Sequence, residues 1–440
     1  MFLEWWMYLI FFLGGLLILM TLGMPIAIAF LGINILFMVL SFGIDAGMAQ
    51  LTVSIYDSLI KFALTPIPLF ILMGETLFRS GLIGHIIDTL SKLIGRVPGR
   101  LSLLTLGSGA LFSNLSGSAM ANTALLGSTM IPEMQKRGYK KSMTFGPIMG
   151  AAGLAIIIPP STIAVLLGSI ANIPVGPLLI AGIIPGLLMA TLYLIYIVVR
   201  CTLNKDLAPF YETEKYPWSD RIFSVIKYIL PLGFVIFSVL GSIILGVATP
   251  TEAASFGALT SFLLVACYGN LNIVVIQKIL LSTAKTTGLV MFIIAGAAAF
   301  SQLLSLTGST RVLVNTVSNL EYAPIIILLA MLALVFILGT FLEQIAIMLI
   351  TMPLFMPVVI VLGFDPIWFG ILMLIAMEIG TFSPPFGMIL FVMKGVAPAD
   401  TTMLDIYKSA IPFISLDAFA LLLVLIFPWI ATWLPNLIYS

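Results

Sequence analysis

The stretch Ser113-Asn-Leu-Ser-Gly-Ser-Ala-Met-Ala-Asn122 decides how the chain folds. It is a cluster of small and hydroxylic residues in the middle of a hydrophobic segment. About a dozen apolar or small residues precede it, Leu101 to Phe112, and roughly fifteen follow before Gln135. At about 1.5 Å per residue each arm reaches only about 20 Å, too short to cross a hydrocarbon core about 30 Å thick. Lys92, Arg96 and Arg100 lie before the unit, and Lys136, Arg137, Lys140 and Lys141 after it. A single crossing would leave one basic cluster outside, against the positive-inside rule. A hairpin that enters and leaves from the cytoplasm removes that conflict. It puts an irregular polar tip at mid-depth, where irregular backbone is tolerated only if it lines a cavity or binds something. The alternative is one ordinary helix with a small-residue packing face.

Composition sets the setting of this hairpin. Of 440 residues 61% are hydrophobic and 8% charged, and the mean hydropathy is +1.21. That balance belongs to an all-α polytopic membrane protein. A formal net charge of +1 gives no reason to expect a nucleic-acid partner. Cys201 and Cys267 lack CxxC spacing, and His85, the one histidine, has no ligand set beside it. The N-terminus has no basic region before Trp5 and no small-residue cleavage site, so it reads as a first span.

In order, spans are expected at Trp5 to Met20, Ile26 to Phe42 and Pro66 to His85, with Ile44 to Leu59 at the interface. The hairpin occupies about 101–134. A long apolar segment from Phe145 to Ile170 is broken at Ile158-Pro-Pro-Ser-Thr162, and Leu178 to Val199 returns the chain to its starting side. Arg200 to Lys227 is the most charged region and reads as a cytoplasmic linker, 200–227, between a first repeat, 1–199, and a second, 228–440. In the second, Ile229 to Leu245, Ala253 to Cys267 and Thr287 to Leu306 are spans, and Asn270 to Lys285 is amphipathic. A second hairpin, about 325–358, is interrupted at Gly339-Thr-Phe-Leu-Glu-Gln344. Trp368 to Val392 is broken at Thr381-Phe-Ser-Pro-Pro-Phe-Gly387, and Ala410 to Trp433 is the last span.

A shift of 225 residues, chosen to superpose the two Pro-Pro pairs, also brings Pro25 onto Pro250, Gly32 onto Gly257 and Pro132 onto Pro357. Ser118 in the first tip lands on Glu343 in the second. Tracing the crossings starts the first half outside and the second inside, so the repeats are inverted and both termini are expected on the periplasmic side. All but Lys61, Arg79 and Arg311 of the 19 Lys and Arg then fall in cytoplasmic loops. Paired broken segments in corresponding positions of two halves point to a transporter binding site.

Two prolines in succession stop a helix and free its carbonyls. Freed carbonyls near Pro159-Pro160 and Pro384-Pro385, with the hydroxyls of Ser116, Ser118, Ser161, Thr162 and Ser383, are hard oxygen ligands of the kind Na⁺ needs. Exposed helix N-termini nearby favour a carboxylate. Each Pro-Pro begins 41 residues after a tip residue, Ser118 or Glu343. Intramembrane carboxylates default to functional roles. Glu343 lies at the second tip and Glu378 six residues before Pro384, whereas Glu75 and Glu252 can instead pair with Arg79 or neighbouring hydroxyls.

These residues resemble one family: the large membrane subunit, of DctM type, of tripartite ATP-independent periplasmic (TRAP) transporters. The resemblance rests on Pro68-Leu-Phe-Ile-Leu-Met-Gly-Glu75, Asn114-Leu-Ser-Gly-Ser-Ala119, Ile158-Pro-Pro-Ser161, Ala248-Thr-Pro-Thr-Glu-Ala253 and Ser383-Pro-Pro-Phe-Gly387, and covers about Leu9 to Leu434. It implies an elevator-type ion transporter in the bacterial inner membrane, in which a domain carrying both hairpins slides against a scaffold. It also implies a small four-helix membrane subunit, a periplasmic substrate-binding protein, an organic-acid substrate such as a C4-dicarboxylate, and Na⁺ coupling with no other cofactor. Many members carry Asp-Pro where this chain has Glu343-Gln344, so the second ion site departs from the family pattern.

The expected ion ligands are Asn114, Ser116, Gly117, Ser118, Pro159, Pro160, Ser161, Thr162, Glu343, Ser383, Pro384 and Pro385. Substrate contacts are expected from Ser118, Asn122, Ser161, Thr162, Glu378, Phe386 and Gly387. Two other readings compete: a self-sufficient Na⁺/dicarboxylate symporter, and an intramembrane hydrolase using Ser116 or Ser118. The hydrolase lacks HExxH and Gly-x-Ser-x-Gly and has only His85 as a histidine base. An ATP-driven pump lacks Gly-x4-Gly-Lys-Ser/Thr.

Overall fold

The computed structural model describes residues 5–116, 118–210, 216–320 and 322–439. The side chains of Asn114 and Ser116, and all of Gly117, lie outside the described residues. The chain is all-helical there. The first half runs α1 (Trp5–Thr21), α2 (Ile26–Phe42), α3 (Ile44–Leu59), α4 (Pro66–Arg79), α5 (Leu82–Leu93), α6 (Arg100–Ser116), α7 (Ala119–Lys136), α8 (Lys141–Gly153), α9 (Thr162–Ala171), α10 (Val175–Ala181) and α11 (Ile183–Leu203). The second runs α12 (Trp218–Ser224), α13 (Leu230–Ile244), α14 (Pro250–Cys267), α15 (Ile273–Leu306), α16 (Ser309–Ser318), α17 (Pro324–Gly339), α18 (Gln344–Val361), α19 (Pro366–Thr381), α20 (Met388–Val396), α21 (Met403–Ile426) and α22 (Trp429–Tyr439). Among the described residues seven helical stretches have at least 18 residues and are apolar enough for a membrane span, the hairpin arm α18 at that lower limit.

The two halves have the same plan. Adding 225 to the bounds of α7 gives the bounds of α18, and α2, α5, α6, α8 and α9 fall on α14, α16, α17, α19 and α20 to within three residues. Both hairpins form. Their arms, α6 and α7 of 17 and 18 residues, α17 and α18 of 16 and 18, reach about 24–27 Å at 1.5 Å per residue, still short of the about 30 Å core.

Three boundaries differ from the sequence reading. Pro66 to His85 is not one span: Gly81 adopts φ +71, ends α4 and starts the amphipathic α5, where His85 stacks on Tyr228 at 4.8 Å. Asn270 to Lys285 and Thr287 to Leu306 are not separate: they merge into the 34-residue α15, because no proline interrupts it as Pro66 interrupts the first half. The last span ends at Ile426, and Pro428 separates it from α22.

Packing divides the helices into two bundles. The scaffold is held by α2 on α15, α4 on α14 and on α15, and α13 on α14. Asn34 pins α2 to α15 by donating to Gly296 O at 2.6 Å. The second bundle contains both hairpins with α8 to α11 and α19 to α22; α21 packs on α8, α17 on α19 and α20 on α7. Gly339 and Gly380 let α17 and α19 touch backbone to backbone, since a Cβ on Gly380 would lie 2.6 Å from Gly339 Cα. Its core is closely packed: almost every residue of α8 and of α19 is buried. The hairpin bundle meets the scaffold through α4 on α6 and α9, α15 on α18 and α5 on α6.

Candidate functional site

Four helices begin at the seam between the bundles. Ser118 is the N-cap of α7, and its hydroxyl accepts from Ala121 N at 3.3 Å. Ser161 caps α9 in the same way, accepting from Ala164 N at 3.2 Å while donating to Ile156 O at 2.6 Å. Glu343 holds the N-cap position of α18 with no side-chain cap bond, and Gly387 precedes α20. The Pro159-Pro160 and Pro384-Pro385 peptides are both cis and sit where α8 and α19 stop.

A cavity of about 330 Å³ lies among these starts. Its hairpin-bundle wall includes Ser118, Thr162, Glu343, Gln344, Thr381 and Met388. The facing wall is scaffold: Ile67, Ile71 and Glu75 of α4, with Thr286 and Val290 of α15. First-turn residues of α7, α9, α18 and α20 all line it. Helix N-termini attract anions through their first N–H groups and aligned dipoles, and the described lining residues include no Lys, Arg or His beside the carboxylates of Glu75 and Glu343. Glu75 is ion-paired to Arg79 at 2.8 Å. Glu343 has no basic partner among the described ion pairs. The site therefore offers anion-attracting helix ends and one carboxylate free to face a cation.

The expected site residues separate into four groups. Ser118, Thr162 and Glu343 line the cavity. Ser161, Pro159 and Pro160 are buried beside it at the first break, whereas Ser383 donates to Ile379 O at 2.5 Å and the Pro385 carbonyl accepts from Tyr407 Oη at 2.7 Å. Pro384 and Gly387 flank that second break. Asn122, Glu378 and Phe386 are not among the described lining residues. Asn122 is fully buried and donates to Gly109 O at 3.4 Å; Phe386 is exposed against Phe341; Glu378 is fully buried in the bundle core. Asn114, Ser116 and Gly117 fall outside the described residues or side chains.

The scaffold wall was not singled out by spacing, because Ile67, Ile71 and Thr286 look like ordinary apolar-helix residues. Gln344 and Thr381 were signalled only as parts of interrupted segments; the structure joins them, Gln344 Nε2 donating to Thr381 Oγ1 at 3.4 Å. Glu75 and Glu252 do pair locally, Glu252 in a capping box with Thr249.

Two inverted helical repeats, paired hairpins and a cavity between a hairpin bundle and a scaffold define a membrane transporter of elevator-type architecture. The family model described as "Tripartite ATP-independent periplasmic transporter, DctM component" matches residues 13–430, so the chain belongs to that family. It is a transporter component and not an enzyme. The C4-dicarboxylate TRAP transporter large permease protein DctM of Vibrio cholerae is 30% identical over 95% of this chain and 95% of its own. The ectoine TRAP transporter large permease protein TeaC of Halomonas elongata is 31% identical over 96% of this chain and 97% of its own. Among solved structures, Neisseria gonorrhoeae MtrF shares the fold with a TM-score of 0.65 at 14% identity, over 89% of this chain and 85% of that one.

Proposed function

We propose that this permease subunit moves an organic anion across the bacterial inner membrane, driven by a Na⁺ gradient, as the hairpin bundle slides against the scaffold. The observation that supports it best is the convergence of four helix N-termini on one cavity between two bundles. Helix N-termini attract a carboxylate, and an anion bound there without a basic side chain is neutralised most simply by co-bound cations. Ser118, Thr162 and the backbone at Pro159-Pro160 supply neutral oxygens for one Na⁺. Glu343 supplies a charged oxygen for a second, with the Ser383-Pro384 backbone nearby. A second cavity of about 220 Å³ lies between α3 and α15 of the scaffold and α9 and α18 of the hairpin bundle. Its presence along the same seam fits a passage that opens at different levels as the bundles slide.

The relatives named above carry a C4-dicarboxylate and ectoine, so the family reading extends to organic solutes of more than one kind; a carboxylate-bearing solute fits the four helix N-termini of this cavity. A periplasmic binding protein delivers the solute, and a small four-helix subunit enlarges the scaffold. The span that includes α12 and α13 fits such a partner, being only 22% buried within the chain. A self-sufficient symporter is the rival reading, and reconstitution separates the two: uptake into proteoliposomes should require the binding protein and the small subunit as well as Na⁺. Full Na⁺-driven uptake by this chain alone would overturn the tripartite reading.

Within that assay Ser118→Ala removes one neutral ligand and the α7 cap together. The Na⁺ concentration for half-maximal uptake should rise by about 2- to 10-fold, the equivalent of about 0.5–1.5 kcal/mol for one neutral oxygen contact. An unchanged Na⁺ dependence with normal expression would remove Ser118 from the ion site.

A further inference from the structure

The core of the hairpin bundle holds three polar groups that the cavity does not use. Glu378 of α19, Asp417 of α21 and Tyr193 of α11 are all fully buried. The Tyr193 hydroxyl donates to Asp417 Oδ1. Both carboxylate oxygens of Glu378 and Oδ2 of Asp417 have no hydrogen-bond partner among the described residues. A Cβ on Gly150 would lie 3.3 Å from Tyr193 Cε2, so Tyr193, the partner of Asp417, meets α8 one turn from where Glu378 does. The Glu378 carboxylate occupies the space that a Cβ on Gly153 would fill. Gly153 and Glu378 are 225 positions apart, so they are repeat mates meeting at the pseudo-symmetric centre of the bundle. The missing side chain on one repeat makes room for the carboxylate of the other.

Among the described residues no cationic side chain is hydrogen-bonded or ion-paired to either acid. The elements packed on α19 and α21 are α8, α9, α10, α11, α17, α18, α20 and α22. Of these, α9, α10, α17 and α18 carry no ionisable residue. Lys141 opens α8 but is engaged by Asp400 and Asp405, and Lys394 of α20 donates to Thr401 O. Besides Tyr193, α11 brings Tyr196, and Arg200 and Cys201 near its end, α21 brings Asp405, Tyr407 and Lys408 at its start, and α22 brings Tyr439. Tyr193 is the one that bonds Asp417. Two carboxyl groups buried in one core cannot both stay charged without compensation, since burial penalises each charge and proximity penalises the second. Three buried oxygens without a hydrogen-bond partner among the described residues are available as ligands for that compensation.

We propose that Glu378 and Asp417 bind one small monovalent cation, a proton or Na⁺, at the centre of the hairpin bundle. Tyr193 orients Asp417 for it, and Gly153 gives the Glu378 carboxylate room. The site is separate from the hairpin-tip cavity and is enclosed within a single bundle, so its cation travels wherever that bundle goes. Travel rests on the transport reading above; binding does not, and it is testable on purified protein.

The test uses the full chain in detergent, wild type and the isosteric double variant Glu378→Gln/Asp417→Asn. If the cation is a proton, the wild-type infrared spectrum at neutral pH contains a carboxylic-acid carbonyl band that shifts in D2O and is missing from the double variant. If it is Na⁺, equilibrium ²²Na⁺ binding falls by one ion per chain in the double variant, with choline unable to compete in the wild type. A wild-type spectrum without an acid band, together with the same Na⁺ stoichiometry in both proteins, would overturn the proposal. Should the double variant not fold, the wild type still decides. The acid band must appear at neutral pH, or NaCl must raise the unfolding temperature of the single variants Glu378→Gln and Asp417→Asn less than that of the wild type. Failure of wild-type uptake in proteoliposomes would sink the transport reading and leave these binding results standing.

Discussion

Glu343→Gln is expected to raise the Na⁺ concentration for half-maximal uptake by about 10- to 100-fold, the largest effect of any single substitution in the cavity. Glu343 is the N-cap of α18, lines the cavity and makes no cap bond of its own, so its carboxylate is available to a ligand. The amide keeps the size and removes the charge. A contact to a charged group is worth about 1.5–3 kcal/mol more than none, and each 1.4 kcal/mol is about tenfold in affinity. The response to external pH should change little. A variant whose uptake loses its pH dependence while keeping normal Na⁺ dependence would instead assign Glu343 to proton coupling, and full activity with both responses intact would leave it a structural residue.

Joining the bundles should stop transport almost completely. A Cβ on Gly176 of α10 would lie 3.3 Å from Ile243 Cγ2 of α13, across the seam between the hairpin bundle and the scaffold. The Ile243 Cβ lies one bond beyond that Cγ2, and a disulfide needs Cβ atoms about 3.5–4.5 Å apart, so Gly176→Cys with Ile243→Cys is a suitable pair for one once the nearby Tyr439 hydroxyl moves aside. Cys267 is exposed and is replaced by Ser in this background; Cys201 is buried. Oxidation should reduce uptake to background and a reductant should restore it. Normal uptake by a fully crosslinked protein would exclude sliding of α10 along α13.

The hairpins and breaks were legible because proline and small hydroxylic residues punctuate apolar runs in a way that few other patterns do. Ser118, Thr162 and Glu343 were found by that punctuation alone. The merging of two expected elements into α15 was not, because Lys285-Thr-Thr287 looks like an interface although nothing in it prevents a helix from continuing. Glu378 was flagged by its depth, yet a position six residues before Pro384 does not say which way a helix faces. The packing of α19 on α21, and of α21 on α8, turns it from the cavity toward Gly153 and Asp417. Asp417 carried its own signal, an acid inside the apolar run of α21. Its relation to Glu378 and Tyr193 is set by which helices pack together, and no local pattern encodes that.

Accessibility of the cavity wall tests the central claim of alternating access most directly. Ala121 lines the cavity in the first turn of α7, and Ala121→Cys, with Cys267 replaced by Ser, places a reporter there. A membrane-impermeant maleimide is applied from either face of oriented proteoliposomes, with Na⁺ and substrate varied on each side. The proposed sliding predicts labelling from the periplasmic face under one set of conditions and from the cytoplasmic face under another. Labelling from one face only, under every combination of Na⁺ and substrate, would contradict it.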